Sequence, residues 1–391
     1  MAASTLAPSA GPKLVAHDPP SWFDARGQVP LPEAATKGRV NLAGQIRGGG
    51  TDLPVLLHDT RAFIASPTNV QVIDLASGRT VGEETARGET LRKDSDGYIL
   101  PPVMAGNEVL VPFLLAVPAS GTHTRGAMVE LIAVSTAPPY KATWRTNINL
   151  PEWALQSSGK VKVAAVGAES GMAVVTVTGS DSAVSYGIDT VSHALRWTQP
   201  DLEVKRVGAG MAAGLLHAEP LTTFPLGVDL TTGTEKWRGE KTYNAAMDGA
   251  GPSTVRVEGQ RPDGKKGDQL LDVTSGQVRA DMPPGLGSMS CTHDQAQTLV
   301  CTHSFAVVAV DPATGQLLWA LKDGEEGRKP PTVTAVWHGR IYGRGVGGPV
   351  ALDARTGMDM PTKPEAAPLL VNTYVGLVLD GSRLSSYPAG G

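Results

Sequence analysis

The sequence predicts an all-β fold, in which four-stranded antiparallel units repeat and close into a ring. Three observations carry that prediction. A phrase made of an apolar strand, an aspartate, Thr/Ser-Gly and often a tryptophan recurs along the 391 residues. Its later copies stand about 40 residues apart, the length of one four-stranded propeller blade. The strands before the aspartates, such as 305–310, lack polar alternation, as strands covered on both faces do.

Aligned on the aspartate, the register runs Asp74, Thr136, Asp189, Asp229, Asp272, Asp311, Asp353 and Pro388. Each aspartate opens a turn by accepting bonds from backbone N–H groups two residues on. Gly78, Gly233, Gly276, Gly315 and Gly357 follow at the left-handed position such a hairpin needs, and His193 replaces glycine in the third copy. Trp144, Trp197, Trp237 and Trp319 stand eight positions after their registers, as large rings suited to the space between blades. Gly82, Ala280 and Pro361 hold that place in other copies. A preceding strand is readable in every copy, which makes eight units. The last copy runs out at Gly391, so Trp22 and its neighbours are expected to supply its missing strand and close the ring. A seven-bladed ring is the alternative.

Residues 1–15 read as a disordered leader or trimmed remnant, and 16–391 as a single propeller domain. Nothing at the N-terminus has the basic and apolar regions of a signal peptide. No apolar run is long enough to span a membrane. A net charge of −4, with acids and bases interspersed, argues against a nucleic-acid partner.

The pattern apolar-x-Val-Asp-x-x-Thr-Gly-x-x-x-Trp, best seen at 308–319 and 227–237, resembles the pyrroloquinoline-quinone-like repeat β-propellers. The resemblance covers roughly Trp22 to Pro388. It implies either a quinoprotein dehydrogenase or a non-catalytic branch that includes an outer-membrane assembly scaffold and sensor ectodomains. The dehydrogenases carry adjacent cysteines beneath the quinone, whereas Cys291 and Cys301 are not adjacent. No calcium ligand or catalytic aspartate can be carried over. The non-catalytic branch is therefore expected, with no cofactor and no metal.

Cys291-Thr292-His293 and Cys301-Thr302-His303 form the conspicuous pair. With a turn near Ala296, Cys291 lies opposite Cys301 and His293 faces Leu299. That register favours a cross-strand disulfide over two buried thiols or a Cys₂His₂ metal site. A disulfide would mean an oxidising compartment. The glycine-rich stretch 343–348 lacks the following helix that phosphate binding needs, and reads as a hairpin. The stretch 94–97 lacks calcium-loop spacing and reads as a turn.

The first two register intervals are longer than the rest, and the excess falls at 82–102 and 116–128, with a polar loop at 259–269. All emerge on the rim opposite the aspartate turns. Arg92, Lys93, Asp94, Tyr98, His123, Arg125, Arg261, Lys265 and Lys266 are the candidate binding residues there. No nucleophile–base–acid set is readable. The expected function is a non-catalytic protein-binding or scaffolding propeller, monomeric, outside the cytoplasm and membrane-associated through a segment missing from this chain. A small-ligand or glycan sensor and a quinoprotein-type enzyme are the alternatives.

Overall fold

The computed structural model describes residues 12–33, 53–91, 100–121, 124–156, 161–219, 221–286, 289–324, 327–381 and 383–391. Its strands pair antiparallel in chain order, as expected for a propeller. The first unit is Val55–His58, Arg61–Ala65, Asn69–Asp74 and Thr80–Thr85. The second is Val103–Ala105, Glu108–Val117, Gly126–Ser135 and Ala142–Asn149; the third is Lys162–Glu169, Met172–Thr178, Ala183–Asp189 and Leu195–Pro200. The fourth (Leu202–Gly208, Met211–Glu219, Thr222–Asp229, Glu235–Arg238) and the fifth (Thr242–Gly251, Thr254–Gln260, Lys266–Asp272, Val278–Asp281) share strand pairing where 222–223 meet 242–243. The sixth is Ser290–His293, Leu299–His303, Ala306–Val310 and Leu317–Lys322. The seventh has three strands, Thr332–Trp337, Arg340–Gly345 and Gly348–Asp353, plus a single bridge from Leu352 to Asp359. Pro361 follows at once and cannot donate to a ladder.

The last unit is Leu370–Val371, Val375–Asp380 and Arg383–Gly390, completed from the other end of the chain. Trp22 pairs with Gly390 and Phe23 with Ala389, while Val29 pairs with Ser386 and Pro30 with Ser385. The ring is thus closed by N-terminal strands. Within 12–15, Leu14 packs on the core cluster of Leu31, Leu53 and Leu377.

First strands of units two to eight touch in succession, on the axis side. Fourth strands are the most exposed, as in the alternation of Thr80–Thr85. The core lies between sheets. Its clusters each join neighbouring units, one of them running from Leu110 and Trp144 to Val175 and Ile188.

Three sequence expectations shift. The second register is Ser135 rather than Thr136, because Glu108 pairs with Ser135 as Arg61 pairs with Asp74. Ser135 Oγ accepts the Ala137 N–H at 3.1 Å, as the aspartates do two residues on, and the turn is longer by one residue. The excess at 116–128 is strand only at its two ends, since Glu108–Val117 and Gly126–Ser135 pair over ten residues. The 259–269 loop likewise shrinks to 261–265, with Lys266 paired to Gln260.

Candidate functional site

The repeat residues build the scaffold, and their geometry shows how. Asp229 Oδ1 accepts the N–H groups of Thr231 at 3.0 Å and Thr232 at 2.9 Å. Asp189, Asp272, Asp311 and Asp353 do the same with their own turns, and Asp74 takes the Ser77 N–H. The second carboxylate oxygen meets a cation: Arg196 on Asp189, Lys236 on Asp229, Arg279 on Asp272, Arg61 on Asp74 and Arg355 on Asp311. The Ser192 N–H, Arg196 and the Val191 N–H together hold the Asp189 carboxyl well below the usual carboxylate range. These oxygens are committed to turns, so they are poor candidates for chemistry.

Three of the repeat tryptophans each join one unit to the next in the same way. The Trp197 indole N–H donates to Leu230 O at 2.8 Å, Trp237 to Val273 O at 2.7 Å and Trp319 to Ala354 O at 2.9 Å. In each case the acceptor follows the next unit's turn aspartate. The ring also covers that turn's glycine: a methyl on Gly233 would stand 2.6 Å from Trp197 and one on Gly276 2.5 Å from Trp237. Positive φ and this close approach together exclude a side chain there.

The other seams improvise. Trp144 stacks on the His193 ring, 4.8 Å between centroids, and its N–H goes to Glu108 of its own unit. His193 has φ 59°, the left-handed position expected for it. Where Gly82 leaves a tryptophan place empty, Tyr140 of the next unit's turn fills it from the other side, buried at φ 57° and bonded to Arg61. Trp22 forms its strand, but its indole N–H points to Gly391 O at 3.3 Å. The tryptophan place at the closing seam belongs to Val29, opposite Ser386, and Val29 packs on the Gly78 turn.

Cys291 and Cys301 are register partners and are bonded, with Cα atoms 4.0 Å apart; His293 faces Leu299. Nearby, the buried Arg256 lies between units five and six. It donates to Asp268 twice, at 2.8 and 2.7 Å, and to the carbonyls of Met289 and Leu286. Burial pushes its pKa down, but Asp268 and Glu258 more than reverse this. Asp294, also buried, binds three N–H groups of its own turn and the Gly339 N–H of unit seven. Neither residue stood out in the sequence. An aspartate just before a polar turn could have flagged Asp294, but a strand arginine such as Arg256 gives no signal of its burial.

Of the rim residues expected from sequence, Arg92, Lys93, Asp94, Tyr98 and His123 lie outside the described residues, as does 94–97. Arg125 is exposed beside the strand Gly126–Ser135 of unit two. Arg261, Lys265 and Lys266 lie at the middle hairpin of unit five, with Arg261 near Asp281 at 3.4 Å and Lys265 near Asp263 at 3.4 Å. The structure places Arg125 on a different unit from those three. It adds apolar tips on the same rim that sequence reasoning missed: Leu221 in unit four is 72% exposed, Phe305 in unit six 65% and Val346 in unit seven 86%. Each sits between the second and third strands of its unit. The opposite rim exposes Val191 and Met358 on aspartate turns.

Among the described residues no group of three or more His, Cys, Asp and Glu side chains is placed to hold a metal ion. No described helix is long and apolar enough to cross a membrane. No protein-family model matches the chain, and no curated protein matches it. Solved structures do. The computationally designed Ika8 protein matches at a TM-score of 0.53 and 12% identity, over 86% of this chain and 95% of that one. BamB from Moraxella catarrhalis matches at 0.48 and 15%, over 86% and 96%. A europium-containing methanol dehydrogenase matches at 0.47 and 10%, over 86% and 82%. The fold is a β-propeller. At these identities the likeness concerns architecture alone.

Proposed function

We propose that this chain is a non-catalytic, protein-binding propeller of the pyrroloquinoline-quinone-like repeat type, with its eight strand groups as eight blades. The observation that carries the binding reading is the set of apolar tips Leu221, Phe305 and Val346 on one rim. Large apolar side chains held in water at hairpin tips gain by being covered, at about 25 cal/mol per Å². A rigid scaffold offers them without loss of backbone entropy. Between the first two stands the polar tip of Arg261, Lys265 and Lys266, which suits a partner surface with acidic groups between its apolar contacts. The disulfide supports a location outside the cytoplasm, and membrane association is part of the same proposal.

The test places a photo-crosslinking residue at Phe305 and, separately, at Val191 on the opposite rim. The native host should yield one protein adduct from position 305 and none from 191. Equal adducts from both positions, or none from 305 while the triple variant Leu221→Ser, Phe305→Ser, Val346→Ser keeps its cellular behaviour, would end the rim reading. The location is checked by mass spectrometry without reduction, where free thiols at Cys291 and Cys301 in host material would contradict it.

A further inference from the structure

We propose that Leu221 is the anchor by which the rim holds its protein partner, and that it enters an aliphatic pocket whose lip carries a carboxylate for Lys241. This role rests on the protein-binding reading of the same rim and specifies which tip is held, and by what chemistry. Leu221 stands between the second and third strands of unit four, at φ 63° and with its side chain in water. That left-handed conformation suits glycine or asparagine and costs leucine free energy. Elsewhere contacts within the fold offset such strain. Tyr140, at φ 57°, is buried and bonded to Arg61; His193, at φ 59°, stacks on Trp144; His338, at φ 39°, stacks on Trp337. The Leu221 carbonyl accepts the Asn244 N–H at 3.2 Å, but a glycine carbonyl would serve as well. Among the described residues Leu221 is the one large apolar side chain that is both left-handed and exposed, so the fold alone does not account for it.

The tip is also held ready for docking. Thr222 and Thr223 pair with Tyr243 and Thr242, so the ladder of unit four runs into the first strand of unit five right beside Leu221. In that ladder Thr223 Oγ1 donates to Thr242 O at 3.1 Å. Val346, by contrast, lies among Gly345, Gly347 and Gly348, a backbone with more freedom to lose on binding. Phe305 leans on the His303 ring of its own unit, 5.9 Å between centroids. The shared ladder also positions a cation. Lys241 lies one residue beyond the paired Thr242, about 10 Å along the ladder from Leu221. Its Nζ sits 5.1 Å from the centroid of the Tyr243 ring, and among the described residues no carboxylate pairs with it. Arg238, Arg261 and Lys265 nearby each have one. A rigid aliphatic tip beside an unpaired cation held on a ring matches a partner with an aliphatic pocket and an acidic group at its lip.

A diazirine-bearing aliphatic amino acid at position 221, run in parallel with the photo-crosslinking residue at 305, provides the test in the native host. Both positions should yield the same protein, and the 221 adduct should map to an aliphatic residue of it. Leu221→Gly should melt no lower than the parent, because glycine is at ease at φ 63°, and should cut the 305 adduct at least about tenfold, 1.4 kcal/mol. Leu221→Met keeps an apolar reach and should retain most of the adduct. Lys241→Gln removes only the charge and should lower the adduct about threefold, as loss of one exposed ion pair would. An adduct from 305 with none from 221 overturns this role and leaves the rim reading standing. No adduct from either position overturns this role as well, and the triple variant then decides the rim reading. The role also falls if Leu221→Gly melts several degrees lower, which would make the leucine part of the fold, or if Leu221→Gly or Lys241→Gln leaves the 305 adduct at the parent level.

Discussion

The seam between units four and five and the seam that closes the ring have the same carbonyl to satisfy and use different atoms. In the first, Trp237 spans the gap: its indole N–H reaches Val273 O and its ring lies against Gly276. In the second, Ser386 Oγ donates to Leu75 O at 2.8 Å, and Val29 and Pro30 of the N-terminal segment lie against Gly78. Leu75 and Val273 each follow a turn aspartate. A hydroxyl therefore stands in for an indole as donor, and a detached two-residue strand stands in for the ring as filler. The repeated requirement is a donor and a filler at each seam; the tryptophan is one way of meeting it.

The largest expected effect comes from removing the version that does both jobs with one side chain. Trp237→Ala deletes the filler and leaves the Val273 carbonyl unpaired in a buried place. It should destabilise by about 4 kcal/mol, within the range for truncating large aromatics in cores. Chemical denaturation followed by far-UV circular dichroism measures it. A loss under about 1 kcal/mol would mean that the seam repacks, since surface substitutions stay within half of that.

The seam between units five and six sharpens the contrast, because it has neither device. Ala280 stands in the tryptophan place and meets Gly315. Arg256 crosses nearby, tying Asp268 to the carbonyls of Leu286 and Met289. Arg256→Ala would leave the half-buried Asp268 without its cation, at a cost of about 3 kcal/mol. Arg256→Met with Asp268→Leu should recover much of that loss if the pair serves only stability. Denaturation of the single and double variants separates the two cases.

Unit six, on the far side of that seam, also carries the bond from Cys291 to Cys301. Replacing both cysteines with serine should cost about 2–3 kcal/mol through the freer unfolded chain. Hydrogen exchange should show the loss concentrated in Ser290–His293 and Leu299–His303 rather than spread around the ring. Uniform loss of protection would argue that the bond acts on the whole domain.

These contrasts separate what could be read in the chain from what could not. The aspartate turns, their glycines and the cysteine register follow from local chemistry, since each contact lies within a few residues or one hairpin. Trp197, Trp237 and Trp319 are legible because the repeat marks them. Tyr140, Val29 and Ser386 were not, because each fills a gap defined by another unit, and no local pattern distinguishes them from ordinary turn or strand residues. The apolar rim tips were passed over for a related reason, since Leu221, Phe305 and Val346 are single residues in short loops, and length drew attention to the first units instead.

The smallest effect tests the hydroxyl directly. Ser386→Ala keeps the strand, its pairing with Val29 and most of its volume, and removes only the donor to Leu75 O. The loss should be about 1 kcal/mol, the net worth of one hydrogen bond. If a donor is what the closing seam needs, Ser386→Thr, which keeps the hydroxyl, should fall between the parent and the alanine variant. If filling is what matters, Val29→Ala should cost more than Ser386→Ala, because it opens space against the Gly78 turn. A result in which Ser386→Ala equals Trp237→Ala in cost would show that the indole's contribution at the other seams is mainly its N–H, and that the ring surface adds little.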